Sequence, residues 1–345
     1  MKTTSTTKAA LLASVTLLVG CSVTTPEPAT PATDIVRVVT HDSFSMSEEL
    51  VTQFEDISGY TLEFSAPGDG GALVNQLILT QDSPLGDAAY GVDNTFASRA
   101  VAAGVFTPYE SPMVTVEGQQ YQFDDSDVLT AVDVGDVCFN VDRQWFAEAG
   151  IPEPSSLTDL THPQYADLTV VPNPATSSPG LAMLVATVGQ FGVDGFADFW
   201  AQMRANGVKV VAGWSDAYYV DFSGSQGAGD RPIVLSYSTS AAYEEPGRTT
   251  ALLDTCFRQV EYVGVLTGAE NVAGAQAFVD FMLSEQVQSS LPEAMFVYPV
   301  IPGAQLPAEW VESAPLAPSP IEVTPAQIEA GRDDWIATWT QVVID

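Results

Sequence analysis

The sequence predicts an α/β protein with two lobes, each a mostly parallel sheet flanked by helices. Three observations support this prediction: the chain has 345 residues, strand and helix patterns alternate from residue 35 to residue 94, and a second alternating unit begins at residue 168. Chains longer than about 250–300 residues usually divide into more than one core. Strands that alternate with helices along the chain form parallel sheets.

The amino-terminal unit alternates strands with helices. The strands are predicted over residues 35–40, 60–65 and 87–92. Residues 47–57 are predicted to be helical, because Leu50, Val51 and Phe54 recur at helical spacing. This β-α-β-α-β order predicts the parallel sheet of the first lobe.

Three acids follow the three predicted strands. They are Asp42, Asp69 and Asp93. The carboxyl ends of parallel strands lie at one edge of a sheet, where open α/β sheets bind ligands. Each acid is suited to cap the helix that follows it, and the three together are also suited to a cation or an amino group. The sequence leaves both interpretations open.

A long extended segment over residues 128–141 is predicted to cross into the second α/β unit. The strands of that unit are predicted over residues 168–171, 208–211 and 233–237. Its helix over residues 181–188 begins after Ser178 and Pro179, which fit the N-cap and the first helical position. The free amides of such a helix start attract anions, whereas capping alone explains the same two residues.

The stretch from residue 211 to residue 246 is rich in aromatic and hydroxyl side chains. Its aromatic residues are Trp214, Tyr218, Tyr219, Tyr237 and Tyr243. Flat aromatic faces among small hydroxyl groups suit a planar, heteroaromatic, cationic ligand. Burial in the core accounts equally well for these residues, because aromatic side chains usually pack inside.

The charge balance is strongly acidic. The chain has 44 Asp and Glu against 11 Lys and Arg, for a formal net charge of −33, and 46% of its residues are hydrophobic. Binding to nucleic acid is not expected, because neutralising phosphates needs clustered Lys and Arg. The hydrophobic content is sufficient for a packed core, and long-range electrostatic attraction favours cations.

The amino terminus has the pattern of an exported lipoprotein. A short basic region (residues 1–8) precedes a short apolar run that ends in Leu18-Val19-Gly20-Cys21. This ending resembles the bacterial lipobox, in which the cysteine becomes the lipidated first residue; a plain secretory peptide is the alternative. Residues 22–33 have the Pro/Thr composition of an extended tether.

Two other cysteines, Cys138 and Cys256, remain. An exported chain with one such pair is expected to join them in a disulfide, and two buried free thiols are the alternative. No metal site is predicted, because His41 and His162 are the only histidines and the chain has no Cys-x-x-Cys.

These segments together resemble the substrate-binding proteins of bacterial thiamine ABC transporters, in the two-lobed periplasmic-binding-protein class of type 2. The resemblance extends from about residue 38 to about residue 339. It rests on the number and order of the matching segments: Thr40-His41-Asp42-Ser43-Phe44, Asp69-Gly70, Gly91-Val92-Asp93-Asn94, Asn173-Pro174, Thr176-Ser177-Ser178-Pro179-Gly180-Leu181, Gly213-Trp214-Ser215-Asp216-Ala217-Tyr218, Leu235-Ser236-Tyr237-Ser238-Thr239-Ser240, Tyr243 and Tyr298-Pro299-Val300.

The resemblance implies that thiamine or its phosphates bind in the cleft between two lobes that close on the ligand. The positions that match ligand-site residues of the family are Asp42, Asp69, Gly70, Ser177, Gly180, Trp214, Tyr237 and Tyr243. Among them, Ser177 and Gly180 match the turn that lies on the side of the ligand's phosphate in the family. The three aromatic residues match the walls of the ligand site.

Two positions depart from the family pattern. The loop after Phe44 carries an aromatic residue in some members, but here it reads Ser45-Met46-Ser47-Glu48. Phe296 stands where the family tends to place Trp, and we expect it to contact the ligand. The loss of one stacking surface weakens binding by about 0.5–1.5 kcal/mol.

Two alternative functions use the same architecture. An iron(III)-binding protein would use tandem tyrosines, for which Tyr218-Tyr219 is the candidate. A thiamine-cleaving transferase would use a cysteine nucleophile, and Cys138 fits only if it is reduced and near a base. Its neighbours Val137 and Phe139 favour burial instead.

The sequence therefore predicts a monomeric, lipid-anchored receptor outside the cytoplasmic membrane, with no enzymatic activity and no cofactor. It is expected to pass thiamine to the permease and ATPase subunits of an importer by hinge closure. The expected boundaries are a signal peptide over 1–20, a tether over 21–33, lobe 1 over 34–133 and 256–345, and lobe 2 over 134–255. The last part of lobe 1 is predicted as a return strand (255–266) and helices over 274–285 and 328–343.

Overall fold

The computed structural model describes residues 1–2, 34–123, 127–226 and 229–345. The predicted signal peptide beyond Lys2, the lipidation candidate Cys21 and the tether lie outside the described residues.

The strands of the described chain begin with β1 at the start of the first lobe and end with β11 near the carboxyl terminus. They are β1 (Ile35–Thr40), β2 (Thr61–Ser65), β3 (Ala88–Asp93), β4 (Phe106–Thr107), β5 (Thr130–Asp142), β6 (Thr169–Pro172), β7 (Lys209–Val211), β8 (Ile233–Tyr237), β9 (Thr249–Ala251), β10 (Phe257–Leu266) and β11 (Tyr298–Pro299).

The helices lie between these strands and after them. They are α1 (Glu48–Ser58), α2 (Gly70–Leu79), α3 (Ala97–Ala102), α4 (Arg143–Ala149), α5 (Ser178–Phe191), α6 (Phe196–Ala205), α7 (Val272–Met282), α8 (Glu285–Met295), α9 (Trp310–Ser313) and α10 (Pro325–Val343). A π-helical segment, Asp216–Asp221, lies between β7 and β8.

One sheet runs through both lobes in the order β2-β1-β3-β10-β5-β8-β6-β7. In the first lobe β1 pairs in parallel with β2 and β3, and in the second lobe β6 pairs in parallel with β7 and β8. The long strands β5 and β10 are antiparallel to each other and to their outer neighbours β8 and β3. The two-lobed α/β prediction is confirmed, and the parallel units belong to one sheet because two antiparallel strands join them.

The two crossing strands are held together by covalent and ionic links. Cys138 on β5 and Cys256 just before β10 form a disulfide, and both are fully buried. Next to this bridge, Arg258 on β10 donates two hydrogen bonds to the buried carboxylate of Asp136 on β5, at 2.7 and 2.9 Å. Bidentate pairs of this kind fix orientation as well as distance. These links therefore lock the register of β5 against β10.

The carboxyl-terminal helix α10 contacts both lobes. Trp339 packs edge-on against Trp200 of α6 with ring centroids 5.7 Å apart. Arg332 donates a hydrogen bond to Ser98 Oγ in α3 at 3.1 Å. A capping box at Thr324 and Gln327 begins this helix, which explains its sharp start.

The start of α5 differs by one residue from the prediction. Ser177, not Ser178, is the N-cap, because its Oγ accepts the amide hydrogen of Gly180 at 3.4 Å. The hydroxyl of Ser178 instead donates to Asp93 across the cleft. The helix start is therefore capped as expected, but the serine predicted to cap it contacts the other lobe.

In the described ranges no single helix is long and apolar enough to cross a membrane. Only α5 and α6 taken together reach that length, and they bend by 119° at their junction.

Candidate functional site

A cavity of about 60 Å³ lies between the two lobes, at the carboxyl-terminal ends of β1 and β8 and beside β10. The first lobe and α8 contribute His41, Ser43, Asp69, Glu261, Ala294, Met295, Phe296 and Val297, and the second lobe contributes Ser178, Pro179, Trp214, Tyr219 and Tyr237. Pockets for drug-sized ligands measure about 300–1,000 Å³. A ligand of that size therefore requires the lobes to move apart.

Asp69 connects the lobes. It is the N-cap of α2, and its Oδ1 accepts the amide hydrogen of Gly70 at 2.6 Å. The same carboxylate accepts hydrogen bonds from two amides of the second lobe, from Ser178 at 3.3 Å and from Trp214 at 2.9 Å. The acid thus caps its own helix, as one of the two interpretations predicted, and also contacts the opposite lobe.

A second contact between the lobes involves Asp93 at the end of β3. Its carboxylate accepts the hydroxyl of Ser178, and its other oxygen accepts the amide of Thr95 at 2.7 Å. Burial raises the pKa of Asp93. Close by, the hydroxyls of Ser43 and Ser215 are 3.1 Å apart across the cleft.

Asp42 lies at the mouth of the cleft and is exposed. Ser43 Oγ contacts its Oδ1 at 3.4 Å. Partial burial, followed by the negative charge of Asp69, raises the pKa of Asp42. The three predicted acids, Asp42, Asp69 and Asp93, therefore lie near one another, but Asp42 does not line the cavity.

Trp214 forms one wall of the cavity. Its indole stacks on Tyr218 with ring centroids 5.2 Å apart and an interplanar angle of 13°. Its Nε1 donates to Ser236 Oγ at 2.8 Å. Since stacking and this hydrogen bond fix both the plane and the tilt of the ring, Trp214 presents a rigid aromatic face.

Phe296 and Tyr243 form a second aromatic pair. Their rings stack at 3.8 Å, and the Tyr243 hydroxyl donates to the carbonyl of Pro292. Phe296 ends α8 with φ 62°, in the left-handed region, and its ring lies 6.2 Å from that of Trp214. Phe296 lines the cavity, whereas Tyr243 supports it from behind.

Tyr237, at the end of β8, lies next to a buried polar network on the cavity floor. Its hydroxyl accepts from Gln259 Nε2 at 2.9 Å, and Gln259 also donates to Glu261 Oε1 at 3.2 Å. Tyr90 Oη contacts Asp133 Oδ2 at 2.6 Å and Glu261 Oε2 at 3.0 Å. Burial raises the pKa of Tyr237 well above its ordinary value, with further contributions from the charges of Glu261 and Asp69.

The structure brings four of the predicted site residues together around the cavity: Asp69, Trp214, Tyr237 and Phe296. Gly70 adjoins it, since a Cβ at Gly70 would lie 1.9 Å from Ser178 Oγ. Ser177 and Gly180 are buried in the start of α5 and do not line the cavity. A Cβ at Gly180 would lie 2.6 Å from the carbonyl of Pro172, so this glycine serves close packing.

Six cavity residues were not predicted: His41, Ser43, Glu261, Ala294, Met295 and Val297. Three others, Ser178, Pro179 and Tyr219, were candidates for which the sequence left a structural role equally open. Glu261 had a sequence signal, because an acid in the apolar run 260–266 (VEYVGVL) needs a buried partner. Ala294, Met295 and Val297, at the end of α8, had no such sequence signal, because their place depends on how α8 packs against β5.

The cysteine-nucleophile alternative is wrong. Cys138 is fully buried and its sulfur is bonded to Cys256. A disulfide sulfur has no thiolate with which to attack a ligand.

The tandem tyrosines do not act as a pair. They lie in the π-helical segment, where Tyr218 Oη is 3.2 Å from Ser240 O and 2.9 Å from Glu244 Oε1, and of the two only Tyr219 lines the cavity. Among the described residues, no three His, Cys, Asp or Glu side chains are grouped so that they could hold a metal ion. The geometry therefore does not favour the iron-binding alternative.

Comparison with known proteins gives concordant results. A family profile described as bacterial extracellular solute-binding protein matches residues 84–317. The thiamine-binding periplasmic protein of Brucella suis is 30% identical over 327 residues, which cover 90% of this chain and 93% of the relative. Its counterpart in Escherichia coli is 29% identical over 326 residues, covering 90% and 94%.

A solved structure of a periplasmic thiamin binding protein superposes with a TM-score of 0.78 at 25% identity, covering 90% of this chain and 96% of that one. The family profile spans more than half of the chain, and the curated relatives match along nearly their whole length. The chain therefore belongs to the bacterial extracellular solute-binding proteins, in the same family as these thiamine-binding periplasmic proteins.

Proposed function

We propose that this protein is the solute receptor of an ABC importer and captures thiamine or thiamine phosphates outside the cytoplasmic membrane. The observation that carries the proposal is the pairing of aromatic walls with carboxylates in one cavity. Trp214, Tyr219 and Phe296 offer flat faces, and Asp69 and Glu261 offer negative charge. Thiamine has an aminopyrimidine ring that can stack on the aromatic faces and a thiazolium cation that the carboxylates attract.

The mechanism is hinge closure about β5 and β10. Contacts between the lobes gather at the cavity, where Asp69 accepts hydrogen bonds from Ser178 and Trp214. A ligand that touches both lobes stabilises the closed form by its differential affinity for that form. The permease then binds the closed form, and opening of the lobes releases the ligand to the permease.

The remaining parts of the proposal concern location and chemistry. The protein is exported and anchored to the outer face of the membrane through Cys21, acts as a monomer, and delivers its ligand chemically unchanged. Lobe 1 comprises residues 34–133 and 256–345, and lobe 2 comprises residues 134–255. The ligand site includes Asp42 and Tyr243 at its edge, and Ser177 and Gly180 shape the turn that faces the phosphate side.

The test is a calorimetric titration of the purified protein with thiamine, its monophosphate and its diphosphate. Bound ligand is first removed by unfolding and refolding with the disulfide intact. We expect sub-micromolar binding that quenches tryptophan fluorescence and weakens about tenfold in Trp214→Ala, because that change removes one aromatic wall.

The matched control is Trp145→Ala. Trp145 packs edge-on against Phe146 with centroids 5.2 Å apart and does not line the cavity. This variant is expected to lose stability but to keep ligand affinity. Absence of heat with every thiamine form would overturn the proposal, and so would a coloured, tight complex with iron(III).

A further inference from the structure

Two carboxyl groups face each other beneath the cavity floor. Glu261 on β10 and Asp133 on β5 are directly opposite in the antiparallel register, where side chains are about 4.5–5.5 Å apart at Cβ. Asp133 is fully buried and Glu261 is 4% exposed. Two like charges so placed and so buried repel strongly, because little water screens them.

The hydrogen bonds around Tyr90 indicate that this pair holds a proton. Tyr90 Oη lies 2.6 Å from Asp133 Oδ2 and 3.0 Å from Glu261 Oε2. A phenol has one proton and donates one hydrogen bond. A carboxyl proton donated to the phenol oxygen accounts for the second contact. Burial raises the pKa of Asp133 and of Glu261, which agrees with a shared proton.

Glu261 is the member of the pair that faces the cavity. His41, also in the cavity lining, is oriented towards it. His41 Nδ1 accepts the amide hydrogen of Ser43 at 3.2 Å, so Nε2 carries the proton of the neutral ring. Nε2 is buried without a hydrogen-bond partner and lies 3.7 Å from Glu261 Oε2. Gly91 permits this approach, since a Cβ there would lie 2.2 Å from the imidazole.

The other groups around Glu261 are acidic or neutral. They are Tyr90 and Asp93 from β3, Asp133 from β5, Asp69 from the start of α2, Tyr237 from β8 and Gln259 from β10. The residues lining the described cavity include neither Lys nor Arg, and His41 is their one basic side chain. A buried carboxylate needs a positive partner to ionise fully.

We propose that Glu261 is the anionic partner of the ligand's cationic ring, and that binding of this cation expels the proton held by the Asp133–Glu261 pair. This inference rests on the proposed function, since it takes the thiazolium as the cation. The thiazolium is permanently charged and has no acidic N–H. The expelled proton therefore leaves the carboxyl pair for solvent, and the charge on the pair goes from −1 to −2 as the ligand brings +1.

Two consequences follow. Binding that releases a proton strengthens as pH rises through the range in which the free pair titrates, and weakens by up to about tenfold per pH unit below it. A neutral isostere that carries thiophene in place of thiazolium gains nothing from Glu261. The receptor therefore selects the cation over the neutral ring.

The experiment is calorimetry of the purified protein with thiamine at one pH in buffers of different ionisation enthalpy. The slope of the observed binding enthalpy against the ionisation enthalpy of the buffer gives the number of protons released. We expect about one proton for the unmodified protein. Glu261→Gln should release none and bind thiamine roughly 30-fold or more weakly. Asp133→Asn should also release none, and its thiamine affinity should no longer fall as pH is lowered through the range in which the free pair titrates, because no shared proton has to be expelled.

The neutral thiophene isostere separates charge recognition from general damage to the site. Glu261→Gln should bind it as well as the unmodified protein does, and should lose the preference for thiamine. Equal proton release in all three proteins would overturn the inference, as would an unchanged preference in Glu261→Gln. If Glu261→Gln does not fold, Asp133→Asn alone decides through its proton count. Failure of the unmodified protein to bind thiamine would instead overturn the proposed function.

Discussion

The carboxylate of Asp69, at the start of α2 in the first lobe, accepts the backbone amide of Trp214 in the second lobe at 2.9 Å. The same side chain caps its own helix and accepts the amide of Ser178. One buried acid thus joins a helix start, the wall of the cavity and the opposite helix. A change at this position should therefore affect lobe closure more than it affects the fold.

Asp69→Asn is expected to weaken thiamine binding by about 1.5–3 kcal/mol, the contribution of hydrogen bonds to a charged group. One amide oxygen can still accept the amides of Gly70 and Ser178, as Oδ1 does now, but the –NH2 group that replaces Oδ2 only donates and cannot accept the amide of Trp214. The measurement is calorimetric affinity, accompanied by small-angle scattering with and without ligand. The ligand-saturated variant should remain more extended than the unmodified protein.

The control is Asp142→Asn, which changes the N-cap of α4 within the second lobe, where Asp142 accepts from Trp145 N at 3.1 Å. This variant should lose stability and keep affinity. If Asp142→Asn weakens binding as much as Asp69→Asn, a special role of Asp69 in closure is excluded.

A second prediction concerns how Trp214 is held. Ser236→Ala removes the acceptor of the indole Nε1 and leaves a buried N–H unpaired, which costs about 1–3 kcal/mol. Because the tilt of the ring is then no longer fixed, thiamine affinity should fall as well as stability. Chemical denaturation and calorimetry measure the two effects.

The chain supplies a matched pair for this test. Trp200 Nε1 donates to Thr187 Oγ1 at 2.9 Å in the core of the second lobe. Thr187→Val removes the same kind of hydrogen bond away from the cavity, so it should lower stability by a similar amount and leave affinity unchanged. A Thr187→Val variant that loses affinity equally would show that Ser236 acts only through global stability.

The bridge between β5 and β10 gives a third prediction. Cys138 and Cys256 are 118 residues apart, and a disulfide that closes so long a loop stabilises by about 2–5 kcal/mol. The double variant Cys138→Ser/Cys256→Ser should lose stability in this range by chemical denaturation. Its thiamine affinity should be nearly unchanged, because neither residue lines the cavity. A large loss of affinity at unchanged stability would contradict this prediction.

Local patterns predicted the main strands of both lobes and helices α1, α5, α7 and α10, but not helices α4, α6 and α8. Strand β8 lies where its apolar run indicated, and the acids after the first three strands lie near one another because parallel strands end at one edge. For the aromatic residues between 211 and 246 the sequence left two interpretations open, burial in the core and a place in a ligand site. Tyr218 is buried core, and Trp214 stacked on it faces the cavity.

Contacts between distant segments could not be predicted in this way. Glu261 and Asp133 face each other because of the register of β10 against β5, and a one-residue slip would have turned either side chain to the other face. The place of Phe296 depends on the packing of α8. Ser177 and Gly180 matched a family pattern, and their place at the start of α5, behind the residues that line the cavity, could not be predicted from that pattern.

The last prediction concerns stability against pH in the absence of ligand. Burial raises the pKa of Asp133, and the charge of Glu261 raises it further; burial also raises the pKa of Glu261. In the unfolded chain these groups titrate at about 3.9 and 4.3. At intermediate pH the folded protein therefore binds more protons than the unfolded chain. The free energy of unfolding should fall as pH rises from about 5 towards 8, by up to about 1.4 kcal/mol per pH unit for one proton.

The net charge of −33 acts in the same direction, since self-repulsion grows as carboxyl groups ionise. The comparison of Asp133→Asn with Asp198→Asn separates the two effects, because Asp198 is exposed and both changes remove one acid. Denaturant unfolding at several pH values should give a shallower decline for Asp133→Asn only. If both variants decline as steeply as the unmodified protein, general repulsion accounts for the pH dependence and the buried pair holds no proton near neutral pH.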